Sequence, residues 1–260
     1  MPDLTPLATM RSGAVPRFPV SLPYRLALAW CGFLALMLVI YGLGLDFTLA
    51  DALYRWQGGE WALQDHVLLQ DWLHQGGRTL SQWMGAGVIV ALLASLLPTP
   101  LRRWRRALLF LFLAVAASTL SISILKQLVS MECPWDLARY GGDWPFVGLL
   151  EWRPSGMPDT ACFPAGHASA GYAWLALYFF LAATWPRWRW LGLATGLGLG
   201  LAFGIAQQLR GAHFLSHDLW TLMLCWTIST LLASWLLPAW HLPQRRLTLP
   251  PNTDETSPDA

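Results

Sequence analysis

Charge is scarce in this chain: 12% of its 260 residues are Asp, Glu, Lys or Arg, and 55% are hydrophobic. An ordinary soluble domain carries about twice that charged share, which argues against a free-standing soluble fold. Lysine is nearly missing, with Lys126 the sole example among 17 basic residues. The net charge of +2 gives no reason to expect a nucleic-acid partner, because the arginines lie in local clusters between apolar runs. Cysteine stops at four, and Cys31 and Cys225 sit inside apolar runs as small fillers. The other pair is too small a set for a structural zinc site. No internal repeat and no nucleotide-binding fingerprint is present.

What the chain has in quantity is long apolar sequence. Six segments, 24–45, 80–98, 107–129, 167–185, 190–209 and 218–237, approach the length of a membrane crossing, about 20 residues. They predict an all-α polytopic membrane protein, a six-helix bundle over 24–237 flanked by tails 1–23 and 238–260. The polar, Pro- and Arg-containing start and the length of the first apolar run do not fit a cleaved signal. The end, "PPNTDETSPDA", has the composition of a disordered tail. Arginine sets the orientation. Arg11, Arg17 and Arg25, the loop "TPLRRWRR", Arg187 and Arg189, and Arg245 and Arg246 all fall on one side of a six-span chain. That side is cytoplasmic, with both termini inside. The opposite loops, 46–79 and 130–166, are acidic on balance and face the periplasm of a bacterial inner membrane.

The first of these loops has helical spacing of its own. Leu63, Val67, Leu68, Trp72 and Leu73 predict an amphipathic helix on the outer membrane surface, stopped at Gly76-Gly77. His66 and His74 on it read as solvated residues, and Trp56, Trp61, Trp104, Trp188 and Trp190 as interfacial anchors. Cys133 and Cys162 share the second outer loop, in an oxidising compartment. A disulfide between them closes a loop of about 30 residues, worth roughly 3 kcal/mol in the chain-entropy model.

Ionisable groups at the edge of a span are costly, and therefore candidates for function. Lys126 lies near the outer end of the third segment, His167 opens the fourth, Arg210 and His213 close the fifth, and His217 and Asp218 open the sixth. The arginine-derived orientation brings all of them to the outer face. Such a group suits phosphoryl transfer. Lys126 and Arg210 can bind phosphate oxygens. In "PAGH" the backbone N–H groups of Ala165, Gly166 and His167 can point at an anion from a helix start. Two histidines can divide nucleophilic and acid–base duty, with a carboxylate fixing the nucleophile's tautomer. No metal or other cofactor is required.

These residues resemble the type 2 phosphatidic acid phosphatase superfamily of membrane lipid phosphatases, over roughly 105–237. The family pattern is a Lys, six residues, then Arg-Pro; Pro-Ser-Gly-His; and Ser-Arg, five residues, His, three residues, Asp. Here the blocks are Lys126 to Cys133-Pro134, Pro164-Ala165-Gly166-His167, and "QQLRGAHFLSHD". The resemblance implies that His213 forms a phosphohistidine, that His167 protonates the leaving oxygen and later activates water, and that Lys126 binds phosphate. Four positions depart. Cys133 replaces an Arg, and Arg139 is a candidate substitute. Ala165 replaces Ser. Gln207 stands where an Arg belongs, with Arg210 one turn later. His217 occupies the Asp position, and Asp218 follows it, able to reach His213 if Ser216 caps the last helix.

The implied substrate is a membrane lipid bearing a phosphate or diphosphate, such as undecaprenyl diphosphate, lipid A phosphate, phosphatidylglycerophosphate or phosphatidate. Water as acceptor makes a phosphatase. Lipid A as acceptor, with undecaprenyl diphosphate as donor, makes a phosphotransferase. Rival readings are a non-catalytic lipid-binding relative, a transporter, and zinc held by His213 and His217. One-sided ionisable groups argue against transport, and Lys126 and Arg210 argue against a metal. Oligomeric state leaves no mark in the sequence.

Overall fold

The computed structural model describes residues 21–149 and 151–237. The tail 238–260 and nearly all of the tail 1–23 lie outside them. Among the described residues the structure is helical, without strands, apart from isolated bridges such as Met131 with Ala161. Among the described residues, four helical stretches are long and apolar enough to cross a membrane: Leu22–Gly42, Pro100–Leu128, Pro186–Leu209 and Leu215–Leu236.

Helix α1 (Leu22–Gly42) begins with a proline in its first turn, where the missing N–H costs nothing. Most of its surface is exposed apolar side chain, including Leu28, Leu34, Leu38 and Val39, as a lipid-facing helix requires. Helix α2 (Leu45–Trp56) follows directly and buries Asp46 and Ala50. A π-helical segment, Leu68–Gly76, then runs straight into α3 (Gly77–Ala94). Gly76-Gly77 is therefore not the stop that its sequence suggests. Both residues keep right-handed helical angles, and glycine is needed for space instead: a Cβ on Gly77 would lie 2.4 Å from the Phe203 ring. Trp61 also departs from expectation. It is a buried packing residue rather than an interfacial anchor, packed edge-to-face with Tyr54 and Tyr140.

Helix α4 (Arg105–Leu128) returns after a short 3-10 turn, and Arg105 caps the end of α3 by donating to the Ser95 carbonyl at 3.1 and 2.7 Å. The segment predicted as the fourth span is broken into α5 (Gly166–Tyr172), a 3-10 turn Ala173–Leu175, and α6 (Ala176–Thr184). This broken rod lies against α7 (Arg189–Leu209), which carries glycine at 192, 196, 200 and 204. A Cβ on Gly196 would sit 2.4 Å from the Leu175 backbone, and one on Gly192 2.6 Å from the Leu177 carbonyl oxygen. The stripe lets backbones touch, the usual means of close helix packing in lipid. Helix α8 (Leu215–Leu236) closes the bundle, and Phe110, Trp174, Phe179 and Ala233 fill the core between α4, α6 and α8.

Candidate functional site

The polar residues of the bundle gather where α4 ends, α5 begins and α7 turns into α8. Lys126, in the last turn of α4, lies across Gly166. A Cβ there would come 2.7 Å from Lys126 Cδ and 3.1 Å from Nζ. With glycine there, the lysine passes over the start of α5, next to His167, without having to shift. The Ala165 main chain is pinned from α8: its N–H donates to the His217 carbonyl at 3.3 Å, and its carbonyl accepts from Thr221 Oγ1 at 3.1 Å. Ala165 is thus not a free anion donor, and this corrects the reading of "PAGH". Gly166 and His167, in the first helical turn, keep N–H groups without an intrahelical partner.

His167 is held by the segment before α3. Its Nε2 lies 3.2 Å from the Leu73 carbonyl, and because a carbonyl only accepts, this contact puts the ring proton on Nε2. The His74 ring packs on His167 at 4.3 Å between centroids, and Phe203 flanks it at 5.3 Å. His74 is therefore no freely solvated side chain, whereas His66 is exposed as predicted.

His213 sits in the turn between α7 and α8, which needs Gly211 in a left-handed conformation (φ 74°). It is 8% exposed. Burial pushes its imidazole well below the usual 6.5, and neighbouring His217 and Lys126 push the same way. The ring stands 5.8 Å from that of His217, which belongs to α8, so the two histidines do not share one helix. Arg210, at the end of α7, donates from Nε to the Gln64 carbonyl at 2.6 Å and from Nη1 to Gln207 Oε1 at 3.1 Å. Its guanidinium also lies 5.9 Å over the Trp135 ring, and among the described residues it has no carboxylate salt-bridge partner.

Two predicted partners are employed elsewhere. Asp218, expected to orient His213, accepts from Gln208 Nε2, and its carboxylate lies against Gly204. No hydrogen bond joins it to His213 among the described residues. The reason is the helix start: α8 opens at Leu215, a residue before Ser216, so Ser216 is not its cap. Arg139, expected as a substitute phosphate clamp, instead forms a bidentate pair with Asp51 at 2.8 and 2.6 Å on an exposed surface. Cys133 and Cys162 are joined in a disulfide with Cα atoms 5.3 Å apart. It ties the end of the Lys126 block to the approach of "PAGH", and the Trp135 N–H reaches the Gly211 carbonyl at 3.0 Å.

The structure adds residues that sequence reasoning passed over. Asp46 Oδ1 accepts from the Ser216 N–H at 2.9 Å, so the cap of α8 comes from α2. A narrow crevice lined by Asp46, Ala50, Trp61, Gln208, His213 and Phe214 opens beside it, reaching none of Lys126, His167 or Arg210. The available signal for Asp46 and His74 was the one used for Lys126, an ionisable residue at the edge of an apolar run. Among the described residues no group of three or more His, Cys, Asp or Glu is arranged to hold a metal ion.

A sequence model of the PAP2 superfamily matches residues 107–240, just over half the chain. No curated protein and no solved structure matches. The matched stretch contains Lys126, "PAGH" and His213, and it ends before neither α7 nor α8 but leaves out α1, α2 and α3. The chain belongs to the PAP2 superfamily.

Proposed function

We propose that this protein is an integral membrane lipid phosphatase that works through a phosphohistidine. The observation that carries the reading is Lys126 lying across Gly166 beside His167, with its charge acting on the buried His213. A phosphate oxygen bound by Lys126 and Arg210 brings phosphorus to His213. The His213 ring nitrogen attacks, an N–P bond forms, and the P–O bond to the lipid breaks. His167 enters the step as the imidazolium, keeps its Nε2 proton on the Leu73 carbonyl, and gives its Nδ1 proton to the departing oxygen. It then takes a proton from water, whose oxygen attacks phosphorus, and inorganic phosphate leaves as the N–P bond opens. Asp218 acts on the turn rather than on the ring, by anchoring Gln208 at the end of α7.

The reading includes a six-span layout over 24–237, with α3 and the α5–α6 pair as the second and fourth crossings. Both tails are cytoplasmic in the bacterial inner membrane, and the site faces the periplasm. The headgroup of an outer-leaflet lipid then meets Lys126 while its chains stay in the bilayer. The test is phosphate release by purified protein from undecaprenyl diphosphate, lipid A phosphate, phosphatidylglycerophosphate and phosphatidate. Release from at least one, lost in His213→Ala and in His167→Ala, is the expected result. No release from any of the four would count against the reading.

A further inference from the structure

The strongest feature left unused by the family blocks is His74. It lies on the π-helical segment ahead of α3, outside the stretch that matches the family. Its ring packs on His167, and the carbonyl of the preceding residue, Leu73, faces His167 Nε2. Among the described residues its own Nδ1 is buried without a hydrogen-bond partner, a costly state unless a ligand completes it. The charged groups facing it from the packed elements are Arg210 at the end of α7, Arg78 on α3 and Lys126 on α4. None is a carboxylate. Nor do these three cations form a salt bridge among the described residues, where only Arg139–Asp51 and Arg153–Glu132 do.

Asp65 acts on Arg210 only through space, so cations without a salt bridge surround an imidazole with an unsatisfied nitrogen, and the site is short of an anion. The family contacts at Cys133 and Gln207 are also gone: Cys133 is in the disulfide, and Gln207 holds Arg210. We infer that His74 is a phosphate-binding residue of this site, contributed by the outer segment that precedes the family blocks. Burial and the neighbouring cations keep its ring neutral while the site is empty. A bound phosphate dianion offsets that repulsion, so His74 takes up a proton as phosphate binds and donates to it. The π-helical winding contributes by turning Leu73 and His74 together toward His167, a placement such segments often serve.

The inference rests on the proposed phosphatase site, and its test reads binding without turnover. Full-length protein in detergent micelles is titrated with inorganic phosphate and followed by tryptophan fluorescence. In parallel, KM and kcat are measured on a lipid phosphate. His74→Ala removes ring and nitrogens, His74→Phe keeps the stack on His167, and His74→Gln keeps a donor. Loss of a hydrogen bond to a charged group predicts phosphate binding weaker by about ten-fold or more in the Ala and Phe variants, with partial recovery in Gln. KM for the lipid should rise in step, because both ligands share the phosphate. Wild-type binding by His74→Phe would overturn the inference, since stacking alone would then account for the residue. So would an effect on the lipid without one on inorganic phosphate, or no phosphate binding by the wild type. Wild-type protein that binds phosphate in this His74-dependent way yet hydrolyses no lipid would count against the proposed function alone.

Discussion

The nucleophilic role proposed for His213 rests on its burial. An imidazole held well below 6.5 stays unprotonated, and hence nucleophilic, into mildly acidic solution. The acid limb of the pH–rate profile should therefore fall below pH 6.5, where an exposed histidine nucleophile would place it. The same shift affects stability. The unfolded chain protonates His213 near 6.5 and the folded chain does not. The stability from the neutral form is therefore complete above the unfolded value and is lost as pH falls below it. Thermal midpoints between pH 7 and pH 5 should drop less in His213→Gln than in the wild type. Gly166 is the second decisive residue. Gly166→Ala inserts a methyl 2.7 Å from Lys126 Cδ, and the displaced ammonium should cost on the order of 10- to 100-fold in kcat/KM. An unchanged kcat/KM would mean that Lys126 does not need this path.

At the level of elements, the start of α8 depends on a side chain from another helix. Phe214 occupies the cap position with no side-chain bond of its own, and Asp46 supplies the acceptor. Asp46→Ala should destabilise the protein by about 1 kcal/mol, and Asp46→Asn, which keeps an acceptor, by less. Equal losses in the two would contradict the capping role. Along α7 the glycine stripe sets how near α5 and α6 can lie. Gly196→Leu must displace the Leu175 backbone rather than a side chain, so it should exceed the ~1–3 kcal/mol typical of core overpacking. Helix limits were largely legible in the sequence because apolar runs and their flanking arginines report them directly. Leu22–Gly42 for the segment 24–45 and Arg189–Leu209 for 190–209 are close agreements. What escaped was the use of glycine. Gly76-Gly77 carries the composition of a stop, yet its role is steric, and only a three-dimensional neighbour such as Phe203 reveals that.

Across the whole molecule, the proposed site draws on three distant stretches and a disulfide. Lys126, His167 and His213 were readable because they recur at family spacing beside apolar runs. The supporting cast was not. Asp218, Arg139 and Ser216 were assigned by sequence proximity, whereas the structure gives them Gln208, Asp51 and a place in the first turn of α8. Asp46 and His74 stand at the edges of apolar runs, but no local pattern tells that they reach Ser216 and His167 on other elements. The Cys133–Cys162 bond holds the loop joining the first two stretches. Reduction, or Cys133→Ser, should lower stability by roughly 3 kcal/mol in the chain-entropy model, read as a lower thermal midpoint with reductant present. The central claim, that His213 becomes covalently phosphorylated, has one direct measurement: rapid quench of the protein with a lipid carrying radiolabelled phosphate, followed by mapping of the bound label. Acid-labile, base-stable label on the peptide bearing His213, absent from His213→Ala, is the predicted result. Phosphate release that continues in His213→Ala, with no label on the wild type, would contradict it.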